Sequence, residues 1–99
     1  MIYHYGYLII NSNARIGRNV TLYPGVEIGS KIPGGGCPTI GDNCFIGAGS
    51  KIFGPIHIGN DVTIAANAVV VNNVLDNAIV GGIPAKIIKY KTSNESLTD

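Results

Sequence analysis

The chain has 99 residues, of which 13% are charged and 45% are apolar, and it carries a net charge of +1. This length accommodates one domain, and the small net charge excludes a general attraction to nucleic acid or to a membrane surface. No apolar run approaches the roughly 18 residues of a membrane-spanning helix, and the N-terminus lacks the basic and apolar regions of a secretory signal. A cytoplasmic location is therefore expected.

The two cysteines, Cys37 and Cys44, show neither metal-binding spacing nor a companion histidine cluster. A structural zinc site needs cysteine and histidine ligands in close spacing, so no metal site is expected. Two cysteines are also too few for a disulfide framework, which agrees with a reducing compartment.

Large aliphatic residues recur at every sixth position. The column consists of Ile10, Ile16, Leu22, Ile28, Gly34, Ile40, Ile46, Ile52, Ile58, Ile64 and Val70. A period of six matches neither the 3.6-residue period of a helix nor the alternation of a lone strand. It predicts an all-β fold in which short strands alternate with sharp bends. Three repeats, about 18 residues, close one triangular coil, and about four coils stack into a parallel β-helix.

The other columns of the repeat support the same architecture. Turn-forming residues dominate the column that lies three positions after each aliphatic residue. They are Asn13, Asn19, Gly25, Asn43, Gly49, Asp61, Asn67 and Asn73. Asn and Gly tolerate left-handed backbone angles, so these residues are expected to turn the corners. Compact residues follow one position later, and Cys44 and Val74 in that column are predicted to fill space beside the aliphatic core.

Two stretches depart from the repeat. Gly34 takes an aliphatic position in a segment rich in proline and glycine, and residues 30–38 are predicted to leave the coil as a loop. After Val74 the repeat fades. The β-helix domain is predicted to span residues 1–91, and the polar residues 92–99 are expected to form a disordered tail. A thin prism has open ends, so a homo-oligomer is expected.

Four stretches carry a family resemblance. They are His4 with its spacing of twelve residues to Ile16, residues 37–43, residues 46–56 and residues 82–86 (Gly-Ile-Pro-Ala-Lys). Together they resemble the hexapeptide-repeat acyltransferases, and within these the serine acetyltransferase group, over about residues 4–88. The resemblance implies left-handed coils, which oppose the usual right-handed crossover. It also implies homotrimers of parallel prisms, active sites between neighbouring subunits, and acetyl-CoA as the donor without a metal.

The resemblance further implies where the donor binds. The pantetheine arm of acetyl-CoA is expected to pass Ala48 and Ala66, whose small side chains leave room beside the backbone. Pro84, Ala85 and Lys86 are expected at the nucleotide end, where Lys86 would pair with a phosphate.

His4 falls on the position of the family's catalytic histidine. By this resemblance it is expected to act as general base, taking the proton of the acceptor hydroxyl as the oxygen attacks the acetyl carbonyl directly. Gly35, Gly36 and Cys37 form the expected acceptor-site loop. Backbone amides of residues 34–36 are candidates to stabilise the oxyanion.

The acceptor loop departs from the pattern of the serine acetyltransferase group. That group carries arginine followed by histidine where this chain has Gly36 and Cys37. The arginine is expected to hold the carboxylate of serine, so its replacement argues against serine as the acceptor. Residues 37–41 (Cys-Pro-Thr-Ile-Gly) instead resemble relatives that acetylate sugars in capsular or exopolysaccharide pathways. This resemblance favours a short polysaccharide-type O-acetyltransferase with a sugar hydroxyl as acceptor, and serine is left open as the other acceptor. Tyr3 stands where the family usually has aspartate.

The remaining polar candidates receive structural interpretations. His57 lies in a strand segment and is predicted to face outward as a structural residue. Lys51, Lys89 and Lys91 are interpreted as solvated charges, with contact to the nucleotide as the less favoured alternative.

A catalytically silent trimeric β-helix, acting as a binding or structural module, is the main alternative function. A γ-type carbonic anhydrase shares the expected fold but binds zinc through three histidines, and the sequence has only His4 and His57. An ice-binding solenoid would carry an outward threonine ladder, which Thr21, Thr39 and Thr63 form only in part. The sequence favours an acetyl-CoA-dependent O-acetyltransferase.

Overall fold

The computed structural model describes the backbone of Ile2 and Tyr3 and the whole of residues 7–91. Within these residues all regular structure is β-strand. The strands are β1 (Ile2–Tyr3), β2 (Ile9–Ile10), β3 (Arg15–Ile16), β4 (Thr21–Leu22), β5 (Glu27–Gly29), β6 (Thr39–Ile40), β7 (Phe45–Ile46), β8 (Lys51–Phe53), β9 (His57–Ile58), β10 (Thr63–Ile64), β11 (Val69–Val70), β12 (Ala78–Gly81) and β13 (Lys86–Tyr90).

Three sheets form the three faces of a prism. The first face runs in the order β1-β4-β7-β10-β12-β13, the second in the order β2-β5-β8-β11, and the third in the order β3-β6-β9. All strand pairs are parallel except the last, in which β13 runs antiparallel to β12. The molecule is a left-handed parallel β-helix: the six-residue period predicted the parallel coils, and the family resemblance predicted their hand.

The register shows that one coil is longer than the others. Ile10 pairs with Ile28, three hexapeptides later in the chain, and Ile52 pairs with Val70 at the same spacing. Ile28, however, pairs with Ile52, which lies four hexapeptides further on. One extra repeat length has left the coil between β5 and β6, and it is the predicted loop at residues 30–38. Gly34 therefore has no place in the core, and its backbone adopts a φ of 73°.

The aliphatic column lines the inside of the prism. Its buried members are Leu22, Ile28, Ile40, Ile46, Ile52, Ile58, Ile64 and Val70. Compact residues of the neighbouring column, Cys44 among them, complete the core, while Ile10 and Ile16 pack on it at the N-terminal end of the stack. Burying each large aliphatic side chain contributes about 1.5–3 kcal/mol, which makes this column the main stabilising feature of the chain.

Left-handed backbone angles occur at six of the eight predicted corner residues, and Asn13 and Asn73 do not adopt them. Positive φ values are found at Asn19, Gly25, Asn43, Gly49, Asp61 and Asn67. One corner also carries a ladder of side-chain hydrogen bonds that the sequence analysis did not anticipate. The amide of Arg18 donates to Asp42 Oδ1, and the amide of Asp42 donates to Asn60 Oδ1, each at 2.8 Å. The ladder ends where the amide of Asn60 donates to Asp76 Oδ1, also at 2.8 Å.

The repeat does not stop at Val74 but shifts in phase. Ile58 pairs with Val74 and Ile64 with Val80, and both spacings are two residues short of three hexapeptides. Two residues are therefore missing between Val70 and Val74, and Val74 aligns with the aliphatic column rather than the compact one. Strands β12 and β13 then form a hairpin at the C-terminal end of the stack.

The described part of the chain contains no helix that is long and apolar enough to cross a membrane.

Candidate functional site

The predicted site residues lie on two different corners of the prism. We call the corner between the first and second faces the first corner, made of residues 23–26, 47–50, 65–68 and 81–85. The corner between the second and third faces is the second corner, made of residues 11–14, 30–38, 54–56 and 71–73. The residues expected to bind the donor occupy the first corner, except for Lys86, which begins β13 directly after it. The expected acceptor loop occupies the second corner.

Small residues stack along the first corner in three consecutive coils. Ile46 pairs with Ile64, and Ile64 with Val80. The two residues that follow each of these positions are Gly47 and Ala48, then Ala65 and Ala66, then Gly81 and Gly82. We call these six residues the small-residue edge. The backbone amide of Asn67 donates to the carbonyl of Ala48 at 2.8 Å, so Ala48 and Ala66 lie one above the other.

The C-terminal hairpin closes the top of this edge. The turn between β12 and β13 is bonded to β11: the Val69 amide donates to the Gly82 carbonyl at 3.0 Å, and the Ala85 amide donates to the Val69 carbonyl at 2.8 Å. Ala85 packs partly against the core, Pro84 follows a cis peptide bond and is exposed, and Lys86 is exposed opposite Gly81. Ala48 and Ala66 are therefore stacked on the first corner, and Pro84, Ala85 and Lys86 lie in the hairpin above them.

The expected acceptor loop packs against the next coil towards the C-terminus. A turn forms where the Gly35 amide donates to the Ile32 carbonyl at 3.0 Å. Gly36 lies against Pro55, because a Cβ on Gly36 would come within 2.6 Å of the proline Cβ. Cys37 is half-buried, whereas the side chain of Ile32 is 65% exposed. Between Ile32 and Pro38 the loop carries no charged side chain.

The second face separates the loop from the small-residue edge. Its strand β5 leads from the first corner to the loop over three residues, a distance of about 10 Å at about 3.3 Å per residue. Within one protomer the two sets of predicted residues therefore do not meet.

An ion pair that the sequence analysis missed crosses the second face. Lys51 Nζ lies 2.6 Å from Glu27 Oε2, and the lysine side chain stays 41% exposed, so Lys51 is a partly solvated charge that is also paired. Because both side chains keep about a third or more of their surface exposed, the pair contributes about 0–1 kcal/mol. The six-residue period did not reveal this pair, because the loop lies between Glu27 and Lys51 in the sequence although the two residues are stacked in adjacent coils.

A second missed feature lies at the lower end of the small-residue edge. The rings of Tyr23 and Phe45 make contact on the outside of the first face, with centroids 4.9 Å apart and planes inclined by 48°. Both side chains are half-buried. In the sequence they occupy outward positions of two different repeats, and only the strand register brings them together.

The proposed base and the other titratable residues are distributed as follows. His4 lies outside the described residues, and Tyr3, the residue before it, pairs with Leu22 in the first face. His57 is exposed on the third face, in agreement with its predicted outward orientation. Lys91 Nζ reaches Thr63 Oγ1 at 3.4 Å, so it is not solely a solvated charge.

Cys44 is a buried core residue. Its thiol is buried and donates a hydrogen bond to the Gly59 carbonyl at 3.1 Å. Burial raises the pKa of the Cys44 thiol to about 11, which disfavours the nucleophilic thiolate. Among the residues that the structure describes, no three histidine, cysteine or acidic side chains cluster in a way that would hold a metal ion.

Sequence comparison matches the repeat to known proteins. Residues 39–72 match the family model of the hexapeptide repeat of succinyl-transferase. A serine acetyltransferase of Mycobacterium tuberculosis is 47% identical over 83 residues, which cover 82% of this chain and 36% of that relative.

Solved structures of serine acetyltransferases share the fold. The protein from Brucella abortus strain S19 in complex with coenzyme A superposes with a TM-score of 0.80 at 32% identity, covering 92% of this chain and 40% of that one. The protein from Neisseria gonorrhoeae in complex with serine gives a TM-score of 0.72 at 35% identity, covering 88% of this chain and 40% of that one.

The chain is similar in sequence and fold to hexapeptide-repeat acyltransferases, as its repeat and its motifs predicted. Within that family its likeness is to the serine acetyltransferases, with which it shares both sequence and fold. It spans 36% to 40% of the length of these relatives, and the match falls on the β-helix.

Proposed function

We propose that the chain is the donor-binding and transfer part of an acetyl-CoA-dependent O-acetyltransferase. The observation that carries this proposal is the small-residue edge, which continues through three coils and ends beside exposed Lys86. Small side chains let a long thin molecule approach the backbone, and a lysine at one end suits the phosphates of a nucleotide. The likeness to a serine acetyltransferase that binds coenzyme A supports the same donor.

In the proposed binding mode the pantetheine arm runs along the first corner past Ala66 and Ala48. The nucleotide lies at the C-terminal end of the stack, beside Pro84, Ala85 and Lys86. The thioester therefore points towards the N-terminal end, where β1 pairs with β4. His4 follows β1 in the sequence and is the proposed general base.

The proposed reaction is a direct transfer without a covalent enzyme intermediate. The acceptor hydroxyl gives its proton to the imidazole of His4 while its oxygen attacks the acetyl carbonyl carbon. The carbon–sulfur bond of the thioester then breaks, and the leaving thiolate takes the proton back from the imidazolium. A new carbon–oxygen ester bond and free coenzyme A are the products.

The proposed active site needs two copies of the chain. The acceptor loop and the small-residue edge lie at opposite edges of the second face, about 10 Å or more apart, so within one protomer the loop does not border the edge. A parallel neighbour would place its own Gly35, Gly36 and Cys37 against the small-residue edge. This geometry supports a homotrimer, in which three such grooves are equivalent.

A neutral hydroxyl, such as that of a sugar, is the proposed acceptor. Binding the carboxylate of an amino acid requires a fixed cation, for which a bidentate guanidinium is best suited. The loop offers Gly36 and Cys37 instead, and the methylene stem of Lys31 folds against Gly54 at its base. An acceptor assay with labelled acetyl-CoA should therefore give more product with hexoses than with serine, and the opposite order would refute this acceptor class.

Calorimetric titration of acetyl-CoA tests the proposed donor site. Wild-type protein should bind it, and Ala66→Leu should weaken binding at least about tenfold, or about 1.4 kcal/mol. His57→Leu places the same side chain at an exposed site on the third face and should leave the affinity unchanged. If acetyl-CoA does not bind at millimolar concentration, the transferase proposal fails and a catalytically silent trimeric module takes its place.

A further inference from the structure

The small-residue edge ends at an aromatic side chain. Leu22 pairs with Ile46, so the residue of the lower coil that corresponds to Gly47 is Tyr23. The backbone amide of Tyr23 donates to the carbonyl of Ile46 at 3.2 Å, which fixes this register. A molecule lying along the first corner therefore passes glycine and alanine in three coils and then meets a phenol ring.

Phe45 holds this ring on the outside of the first face. It stands in the outward column of β7, with Thr21 below it in β4 and Thr63 above it in β10. The tilted contact between the Tyr23 and Phe45 rings, with centroids 4.9 Å apart, is a favourable aromatic geometry. The two half-buried side chains thus form one apolar wall at the lower end of the small-residue edge.

The direction of the proposed donor brings its acyl group to this wall. Lys86 lies at the opposite end of the edge, so a nucleotide bound there leaves the thioester at the Tyr23 end. This end is also close to β1, the strand that precedes the proposed base, because Tyr3 pairs with Leu22, the residue before Tyr23. The acyl carbons beyond the thioester carbonyl would point towards the aromatic wall.

We propose that Tyr23, supported by Phe45, is the specificity-determining residue that limits the transferred group to acetyl. This inference rests on the proposed transferase function. In every transfer the thioester carbon–sulfur bond breaks and an ester carbon–oxygen bond forms, so donors of different length differ only in the carbons that face the wall. One methylene in an apolar pocket changes the specificity of an enzyme by about 10–200-fold.

The test is a comparison of kcat/KM for acetyl-, propionyl- and butyryl-CoA. Wild-type protein should lose at least about tenfold with each added methylene. Tyr23→Ala should raise the ratio of butyryl to acetyl transfer at least about tenfold, and Phe45→Ala should raise it less because the tyrosine remains. The ratio of butyryl to acetyl transfer does not depend on how much of a variant is folded. Tyr23→Leu is a second variant that keeps an apolar side chain, and it should give a ratio between those of the wild type and Tyr23→Ala.

Phe53→Ala is the matched control, since it removes an outward aromatic ring from the second face and should leave the ratio unchanged. An equal loss with all three donors in Tyr23→Ala would overturn the proposal, as would a similar change of ratio in Phe53→Ala. If wild-type protein transfers no acyl group, the proposed function fails separately. Calorimetry then decides the role of Tyr23 through the ratio of the dissociation constants of butyryl- and acetyl-CoA. If none of the three donors binds, both proposals are overturned.

Discussion

Ile28 and Ile52 lie side by side in adjacent coils of the second face although they are four hexapeptides apart in the chain. The same face pairs Ile10 with Ile28 and Ile52 with Val70 at a separation of three hexapeptides. The difference is the length of one repeat. The acceptor loop can therefore leave the prism without changing which side chains point inward.

Deletion of residues 31–36 should leave a folded β-helix. It joins Ser30 to Cys37 and gives a corner of the same length as residues 11–15 of the preceding coil. Loop closure changes slowly with length, so the free energy of unfolding should stay within about 1 kcal/mol of the wild-type value in urea titrations. Acetyl-CoA should still bind, while acetyl transfer should be lost together with the loop.

A deletion of residues 31–35 is the control for this prediction. It leaves one residue too many for the corner, which must bulge or shift the register of a two-residue strand. The urea midpoint of this variant should fall below that of the six-residue deletion. Equal midpoints for the two variants would contradict a corner of fixed length.

The hydrogen-bond ladder between Asp42 and Asn60 should stabilise its corner measurably. Asn60 Oδ1 accepts the amide of Asp42 at 2.8 Å, which resembles the way a capping side chain accepts a free amide. Asn60→Ala should lower the free energy of unfolding by about 0.5–2 kcal/mol. Asn72→Ala, at an exposed corner residue outside the ladder, should change it by less than about 0.5 kcal/mol, and equal losses would deny the ladder a specific role.

Cys44 should make the stability fall at alkaline pH. Burial raises the pKa of its thiol from 9.0 to about 11, so above pH 9 the unfolded chain loses this proton while the folded chain keeps it. The unfolded state then binds fewer protons, and the free energy of unfolding decreases as the pH rises from about 9 to about 11, by about 2–3 kcal/mol at most.

Cys44→Val isolates this contribution from other ionisations. Val20 and Val62 occupy the same inward column in the coils below and above, so valine fits the site without a thiol. Urea midpoints of the variant should decrease less between pH 8.5 and pH 10.5 than those of the wild type. Parallel curves for the two proteins would show that the thiol is not the cause.

Removal of the proposed base should abolish most of the turnover. Positioned general bases contribute about 10²–10⁴-fold, so His4→Ala should lower kcat by at least about a hundredfold. Acetyl-CoA affinity should change little, because the donor lies along the first corner. His57→Ala removes the exposed histidine of the third face and should retain full activity. A loss below tenfold in His4→Ala would remove this histidine from the proposed mechanism.

The fold was predictable because its main determinant is a period in the sequence. Side chains such as Ile46 and Ile64 recur at a spacing that only a short strand and a bend can satisfy, and both are fully buried. The hairpin of β12 and β13 was not predicted, because two residues are missing before Val74 and the count loses phase there. The six-residue count does not identify β12, because Val80 of β12 lies two residues fewer than three hexapeptides from its partner Ile64.

The candidate site was predictable only where its residues follow the repeat. Ala48 and Ala66 occupy equivalent positions in successive coils, and the Asn67 amide bonded to the Ala48 carbonyl confirms that stacking. The ion pair of Glu27 with Lys51 and the ring contact of Tyr23 with Phe45 both cross the coil enlarged by the loop. Such contacts depend on the register of a particular coil, which the average period does not reveal.

A crystal structure of the protein with coenzyme A would test the proposed donor site most directly. The pantetheine arm should lie against the backbone at Ala48 and Ala66, with the nucleotide beside Lys86 and residues 35–37 of a neighbouring copy facing the thiol. Coenzyme A bound to the third face, or to a protomer with no neighbour on its small-residue edge, would contradict a groove shared between two prisms.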